Sequence, residues 1–221
     1  MPPFGSSILS RIANASVKRM VPRNTAFFCV DVQERFRANI VAFDSVVAVS
    51  QRMAKTAQLL QLPLTLFGEQ YPKGLGRVVP ELQPFTSAPS AAAGDTVGLV
   101  KTLEKTSFSL WNDDARILLP KGHTIDTVVV CGIEAHVCVL QTVLDLVADG
   151  FCVHVLADGT SSQSNTDRFY AFERLKSTPN VFITTSQSVL MQLIVDAKHP
   201  KFKDISNLLK ETMPSPQCTW V

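Results

Sequence analysis

One cysteine and two charged side chains are the residues whose types suit joint chemistry. Cys138 is expected in the first turn of a helix, where the positive end of the backbone dipole and unpaired amides favour thiolate over thiol. A thiol nucleophile also needs a proton acceptor and a positive group that steadies developing charge. Asp31, directly after the apolar run Thr25–Val30, and Lys105, after a run near Gly98–Thr102, are a carboxylate and an ammonium of the required kinds. Lys101 is a competitor for the second role, and Glu69, Gln70 and Asp158 also follow strand-like runs. Spacing alone therefore leaves the set open. The ordinary employment of such residues is a turn or cap for the acid, a solvated loop for the lysine and packing for the cysteine.

The elements that would position these groups are legible as alternating runs. Strands are expected at Thr25–Val30, Pro63–Phe67, Gly98–Thr102, Thr127–Cys131, Cys152–Ala157 and Val181–Thr184, several of them continuous in apolar character, as a sheet covered on both faces requires. Helices are expected at Asp44–Leu62 with Asp44 as N-cap, Ala135–Ala148, Asp167–Lys176, Ser188–Ala197 and Lys203–Glu211. Gly68–Gly76 reads as a polar, glycine-bounded loop, and Pro84–Asp95 as a surface excursion. The fold class is α/β: a three-layer α/β/α sandwich around a mainly parallel, doubly wound sheet. In such sheets ligands bind beyond the carboxyl ends of the strands, which is where the candidate residues fall.

With 221 residues, of which 46% are hydrophobic, the chain is long enough for one substantial core and needs no disulfide staples. No apolar run approaches a membrane span, so no membrane partner is expected. The 21 basic and 19 acidic residues leave +2, too little to point to a polyanion, and nucleic acid is not an expected partner. Five scattered cysteines with no CxxC pair fit a reducing, intracellular compartment. Cys29, Cys131 and Cys152 lie in strand-like runs and read as small buried apolar residues. Three parts are expected: a flexible basic segment at 1–18, one domain over 19–211 and a tail at 212–221. The first segment, acid-free and serine-containing, fits either a transit peptide or a plain tail, so the location is cytoplasmic or, in the first case, mitochondrial.

Four segments in order carry a family resemblance: Phe28-Cys29-Val30-Asp31-Val32-Gln33-Glu34-Arg35-Phe36, Glu69–Gly76, Lys105-Thr106-Ser107-Phe108-Ser109, and Cys131-Gly132-Ile133-Glu134-Ala135-His136-Val137-Cys138 with its continuation to Thr142. Together they resemble the isochorismatase-like, or cysteine, hydrolases, most closely the isochorismatase domain-containing group, over roughly Arg19–Glu211. The resemblance implies an Asp31–Lys105–Cys138 triad and a non-proline cis peptide at Ile133–Glu134. The backbone amides of Glu134 and Cys138 would then form an oxyanion hole. It also implies a homo-oligomer.

Around that triad, Gln70, Tyr71, Phe108, Ile133 and His136 are the expected substrate-binding residues. Phe108 and Trp111 suit either an apolar pocket wall or the core. The stretch from Phe36 to Phe67 contains no histidine, so the metal-binding set of the family's nicotinamidases is absent and no metal or other cofactor is expected. Thiol-based hydrolysis of an amide-type C–N bond in a small molecule is the expected reaction. Two alternatives stand beside it: vinyl-ether or other non-amide hydrolysis with Asp31 as general acid, and a non-catalytic binding protein that retains a reactive thiol.

Overall fold

A computed structural model describes residues 19–87, 98–119 and 122–214. The basic segment 1–18, most of the excursion after Ser87 and the tail beyond Pro214, with Cys218, lie outside the described residues. Six parallel strands form one sheet: β1 (Thr25–Val30), β2 (Leu64–Gln70), β3 (Leu99–Lys105), β4 (Thr127–Ile133), β5 (Cys152–Ser161) and β6 (Val181–Thr184), in the order β3-β2-β1-β4-β5-β6. The chain winds outward in both directions from β1, so the switch point lies between β1 and β4.

Helices cover both faces. On one, α1 (Phe43–Leu59), α4 (Ser186–Ile194) and α5 (Phe202–Lys210) pack on Phe27, Cys29, Phe67, Val129 and Leu156. On the other, α2 (Leu140–Ala148) and α3 (Asn165–Lys176) pack on Phe28, Val30, Leu66, Val130 and Val155. Alternate residues of β1 thus enter opposite cores, which is why Ala26–Val30 is apolar without a break. Trp111 belongs to the second core, fully buried against Phe28 and Phe151, and its indole N–H is satisfied by Asp149. Among the described residues no helix is long and apolar enough to cross a membrane.

The strands overrun their expected ends, for a physical reason. Glu69 and Gln70 remain in β2 because their backbones pair with Glu104 and Lys105 of β3, and Glu69 is neutralised by Arg77 and accepts the Val78 amide. β5 does not stop at Asp158. It bulges opposite Val130–Gly132 and rejoins β4 at Thr160 and Ser161. Asp44 is not the cap of α1: the helix starts at Phe43 after Ala42 at φ 52°, and the Asp44 carboxylate accepts from Arg37 inside the first turn.

Candidate active site

Three strand ends meet at the switch point. β1 runs out at Val30, and Asp31 turns the backbone through φ 54°. Gly132 of β4 comes so close to β1 that a Cβ there would stand 2.0 Å from the Val30 carbonyl oxygen, and its φ is 124°. Only glycine permits this approach. The next residues, Ile133–Glu134, are joined by a cis peptide bond, as the resemblance implies. The chain then winds through one wide turn, Ala135–Val139, closed by the Val139 amide on the Glu134 carbonyl, before α2 proper begins at Leu140. Cys138 therefore sits in a π-turn and not in the first turn of the α-helix. Thr142 fixes that turn: its hydroxyl donates to the Cys138 carbonyl at 2.6 Å and accepts the Leu110 amide at 2.8 Å.

Lys105 ends β3 and crosses beneath β2 to reach the carboxylate. Its Nζ lies 2.7 Å from Asp31 Oδ2 and 2.7 Å from Gln70 Oε1, with the Phe108 and Ser107 carbonyls at 2.8 and 3.1 Å. Both charged side chains have no exposed surface. A buried pair of this kind survives because each charge is matched and hydrogen-bonded. The other carboxylate oxygen, Asp31 Oδ1, is buried without a conventional hydrogen-bond partner. Cys138 lies beside that carboxylate, close enough for its thiol to interact with it directly. Gly68 makes room for the group, since a Cβ at that position would stand 2.6 Å from Oδ1.

The electrostatics reverse the thiolate expectation. Burial, reinforced by the neighbouring Asp31 charge, pushes the Cys138 thiol well up, against the pull of Lys105 and a hydrogen bond from the Glu134 amide. Burial also outweighs Lys105 at Asp31 and raises its pKa above the ordinary carboxylate value. The resting thiol is thus protonated, with a carboxylate beside it.

The remaining expected residues are placed as follows. Gln70 is spent on the site itself, accepting from Lys105 and donating to the Thr106 carbonyl. Tyr71 and Phe108 are 54% and 49% exposed, and the Tyr71 ring covers Gly74. His136 Nδ1 is 3.0 Å from Ser162 Oγ. The Ile133 side chain is buried in the core on the α1 face, and the Glu134 carboxylate accepts from the backbone and side chain of Gln163. Lys101, the competing lysine, pairs in register with Leu66 four residues before the end of β3 and is exposed. Among the described residues, no three His, Cys, Asp or Glu side chains come together as a metal site would require.

Sequence reasoning passed over Gln33. Fully buried, its side chain accepts the Gln70 amide and donates to the Gln70 and Gly76 carbonyls, so it holds the end of β2 and the following turn to β1. No periodicity marks it. Gly68, read as the start of a loop, lies inside β2, where a glycine marks a close approach.

Comparison with known proteins bears on the same stretch of chain. Residues 25–187 match the model of the isochorismatase domain. The chain is 42% identical over 195 residues to isochorismatase domain-containing protein 1 of Salmo salar, covering 88% of this chain and 64% of that protein. It is 41% identical over 202 residues to isochorismatase domain-containing protein 2 of Homo sapiens, covering 91% of each. Among solved structures, a Caenorhabditis elegans protein named MAR1 ribonuclease superposes with a TM-score of 0.80 at 36% identity, over 92% of this chain and 98% of that one.

Proposed function

The chain belongs to the isochorismatase domain family, and from that premise we propose that it hydrolyses a small molecule at an amide-type C–N bond through a covalent Cys138 intermediate. The observation that carries the proposal is the buried Asp31 carboxylate, held by Lys105 through one oxygen while the other has no conventional partner and Cys138 lies beside it. Such a carboxylate is fixed, solvent-free and available as a proton acceptor.

In the first half-reaction Asp31 takes the Cys138 proton as the sulfur bonds to the carbonyl carbon. The carbonyl π electrons move to oxygen, where the Glu134 and Cys138 amides receive the charge. Collapse of this adduct breaks the C–N bond, and Asp31 returns the proton to the leaving amine. Water, deprotonated by Asp31, then attacks the thioester. The C–S bond breaks, the acid departs and the thiol is restored. Lys105 holds Asp31 in place and keeps one negative charge acceptable in the site throughout. Assembly into a homo-oligomer is part of the proposal, and sedimentation velocity tests it.

A second reading rests on the raised pKa of Asp31, which suits a proton donor to a vinyl ether with no nucleophile. The test is a metabolite extract incubated with wild type and with Cys138→Ala, with RNA added as a separate substrate. A metabolite lost only with wild type, together with a Cys138 adduct by mass spectrometry, supports the thiol route. Full activity of Cys138→Ser moves the assignment to acid catalysis. Cleavage of RNA by wild type alone moves it to the activity that the C. elegans relative's name states.

A further inference from the structure

Among the described residues, the interior of the candidate site holds one cation, and that cation has no proton left for a ligand. An ammonium has three N–H bonds. Lys105 Nζ already has four protein acceptors within hydrogen-bond distance: Asp31 Oδ2, Gln70 Oε1 and the carbonyls of Ser107 and Phe108. Its charge is matched by Asp31 in a pair without exposed surface.

Among the described residues near these strand ends, cations farther out are committed or in water. Arg77 is shared between Glu69 and Glu104, and Arg37 between Asp44 and Glu81. Lys73 and Arg35 are exposed, where water and salt screen their charge from the depth of the sulfur. The Glu134 carboxylate is taken by Gln163, and His136 Nδ1 by Ser162. Among the described residues, the neutral donor toward Cys138 is the Glu134 amide, and the rings of Tyr71 and Phe108, on the turns after β2 and β3, are exposed.

We propose that the substrate is an uncharged small carbonyl compound, one whose reacting end bears no carboxylate or phosphate. An anion carried to the sulfur would lose its water and meet no unspent cation, beside a carboxylate that already holds the local negative charge. A neutral amide loses less water and offers its oxygen to the backbone amides. The same reasoning keeps an RNA backbone from the sulfur. This inference rests on Cys138 being the nucleophile.

Iodoacetamide and iodoacetate separate the two claims, because they deliver the same carbon to sulfur, with iodide leaving and the thiol proton released, and differ in one charge. The measurement is the second-order rate of Cys138 alkylation in the full-length protein at pH 8, mapped by peptide mass spectrometry. Glutathione supplies the intrinsic ratio of the two reagents. The expected result is an iodoacetamide-to-iodoacetate ratio at Cys138 at least about tenfold above the glutathione ratio. A ratio equal to or below that of glutathione overturns the uncharged-substrate inference and leaves the nucleophile standing. Failure of both reagents at Cys138 in the folded protein, with ready alkylation after denaturation, overturns the nucleophile and the inference together.

Discussion

Asp31 and Asp158 look alike in the chain and differ in what their oxygens do. Each follows an apolar run and each is near a buried cation: Lys105 for the first, Arg52 of α1 for the second. Asp158 is saturated. Both of its oxygens accept the Ser186 amide, one accepts the Ser186 hydroxyl at 2.6 Å, and the group thereby holds the N-terminus of α4 onto β5. Asp31 has one oxygen on Lys105 and one without a conventional partner, beside a thiol. The cysteines divide in the same way. Cys131 is fully buried beside Cys29 and Ser50, with its thiol pushed far up by burial, and the Asp158 charge that also raises it sits on a carboxylate whose oxygens are both held by Ser186. Burial of a charge or a thiol is therefore common to both regions. A carboxylate oxygen without a conventional partner, beside a thiol, is found at the switch point.

The sharpest way to break this comparison is to exchange its cysteines. Cys138→Ala is expected to lower turnover by about 1000-fold or more while leaving the melting temperature within a few degrees. Cys131→Ala is expected to do the reverse, keeping turnover within about twofold and costing roughly 1–2 kcal/mol from the cavity left in the α1-side core. Equal loss of turnover from both variants would remove the distinction.

The acids come next. Asp31→Asn is expected to reduce turnover by about 100- to 10,000-fold. It also leaves Lys105 buried and unpaired, at a cost of about 3–5 kcal/mol. The double variant Asp31→Asn/Lys105→Met should recover much of that stability in thermal unfolding and none of the turnover. Asp158→Asn should cost about 1 kcal/mol through the weakened start of α4 with turnover unaltered. A catalytic loss at Asp158 would show that saturation is no guide.

Gly68→Ala tests position without touching charge. The new methyl would crowd Asp31 Oδ1 and Leu110, so about a tenfold fall in Cys138 alkylation by iodoacetamide is expected, with about 1 kcal/mol of destabilisation. An unchanged alkylation rate would mean that the placement of Oδ1 is not limiting.

The smallest effect on turnover lies away from the site. His154 is buried on β5 and stacked on Phe182, and burial lowers its pKa to about 4. The unfolded chain takes up this proton near pH 6.5 and the folded protein only near pH 4. Stability from this residue is therefore full above pH 6.5 and is lost as pH falls toward 4, by about 3 kcal/mol at most. His154→Phe should flatten that part of the melting-temperature profile and leave the turnover profile above pH 6 unmoved. A parallel shift of both profiles would tie His154 to the chemistry.

The run at Thr25–Val30 was legible to the residue, because a strand buried on both faces is apolar almost without interruption. Val181–Thr184, an edge strand buried only at Val181, was legible from its β-branched and aromatic residues instead. Ends that carry polar residues were not. Glu69 and Gln70 read as loop, yet they complete β2 because Arg77 and Gln33 satisfy them from elsewhere in the chain. The π-turn that carries Cys138 was hidden for the same reason: Thr142 and Leu110 secure it by contacts that no local pattern records.

Composition and order of residues alone determined the class of fold, the order of strands and helices, and the three residue types nominated for chemistry. Those properties follow from local periodicity and from motifs read along one dimension. Tertiary structure decided which acid has both oxygens held by Ser186 and which has one oxygen beside a thiol, that burial raises the thiol instead of lowering it, and that Lys105 has no proton to offer a ligand. These depend on distances between strand ends dozens of residues apart and on the exclusion of water, and neither quantity exists until the sheet has closed around them.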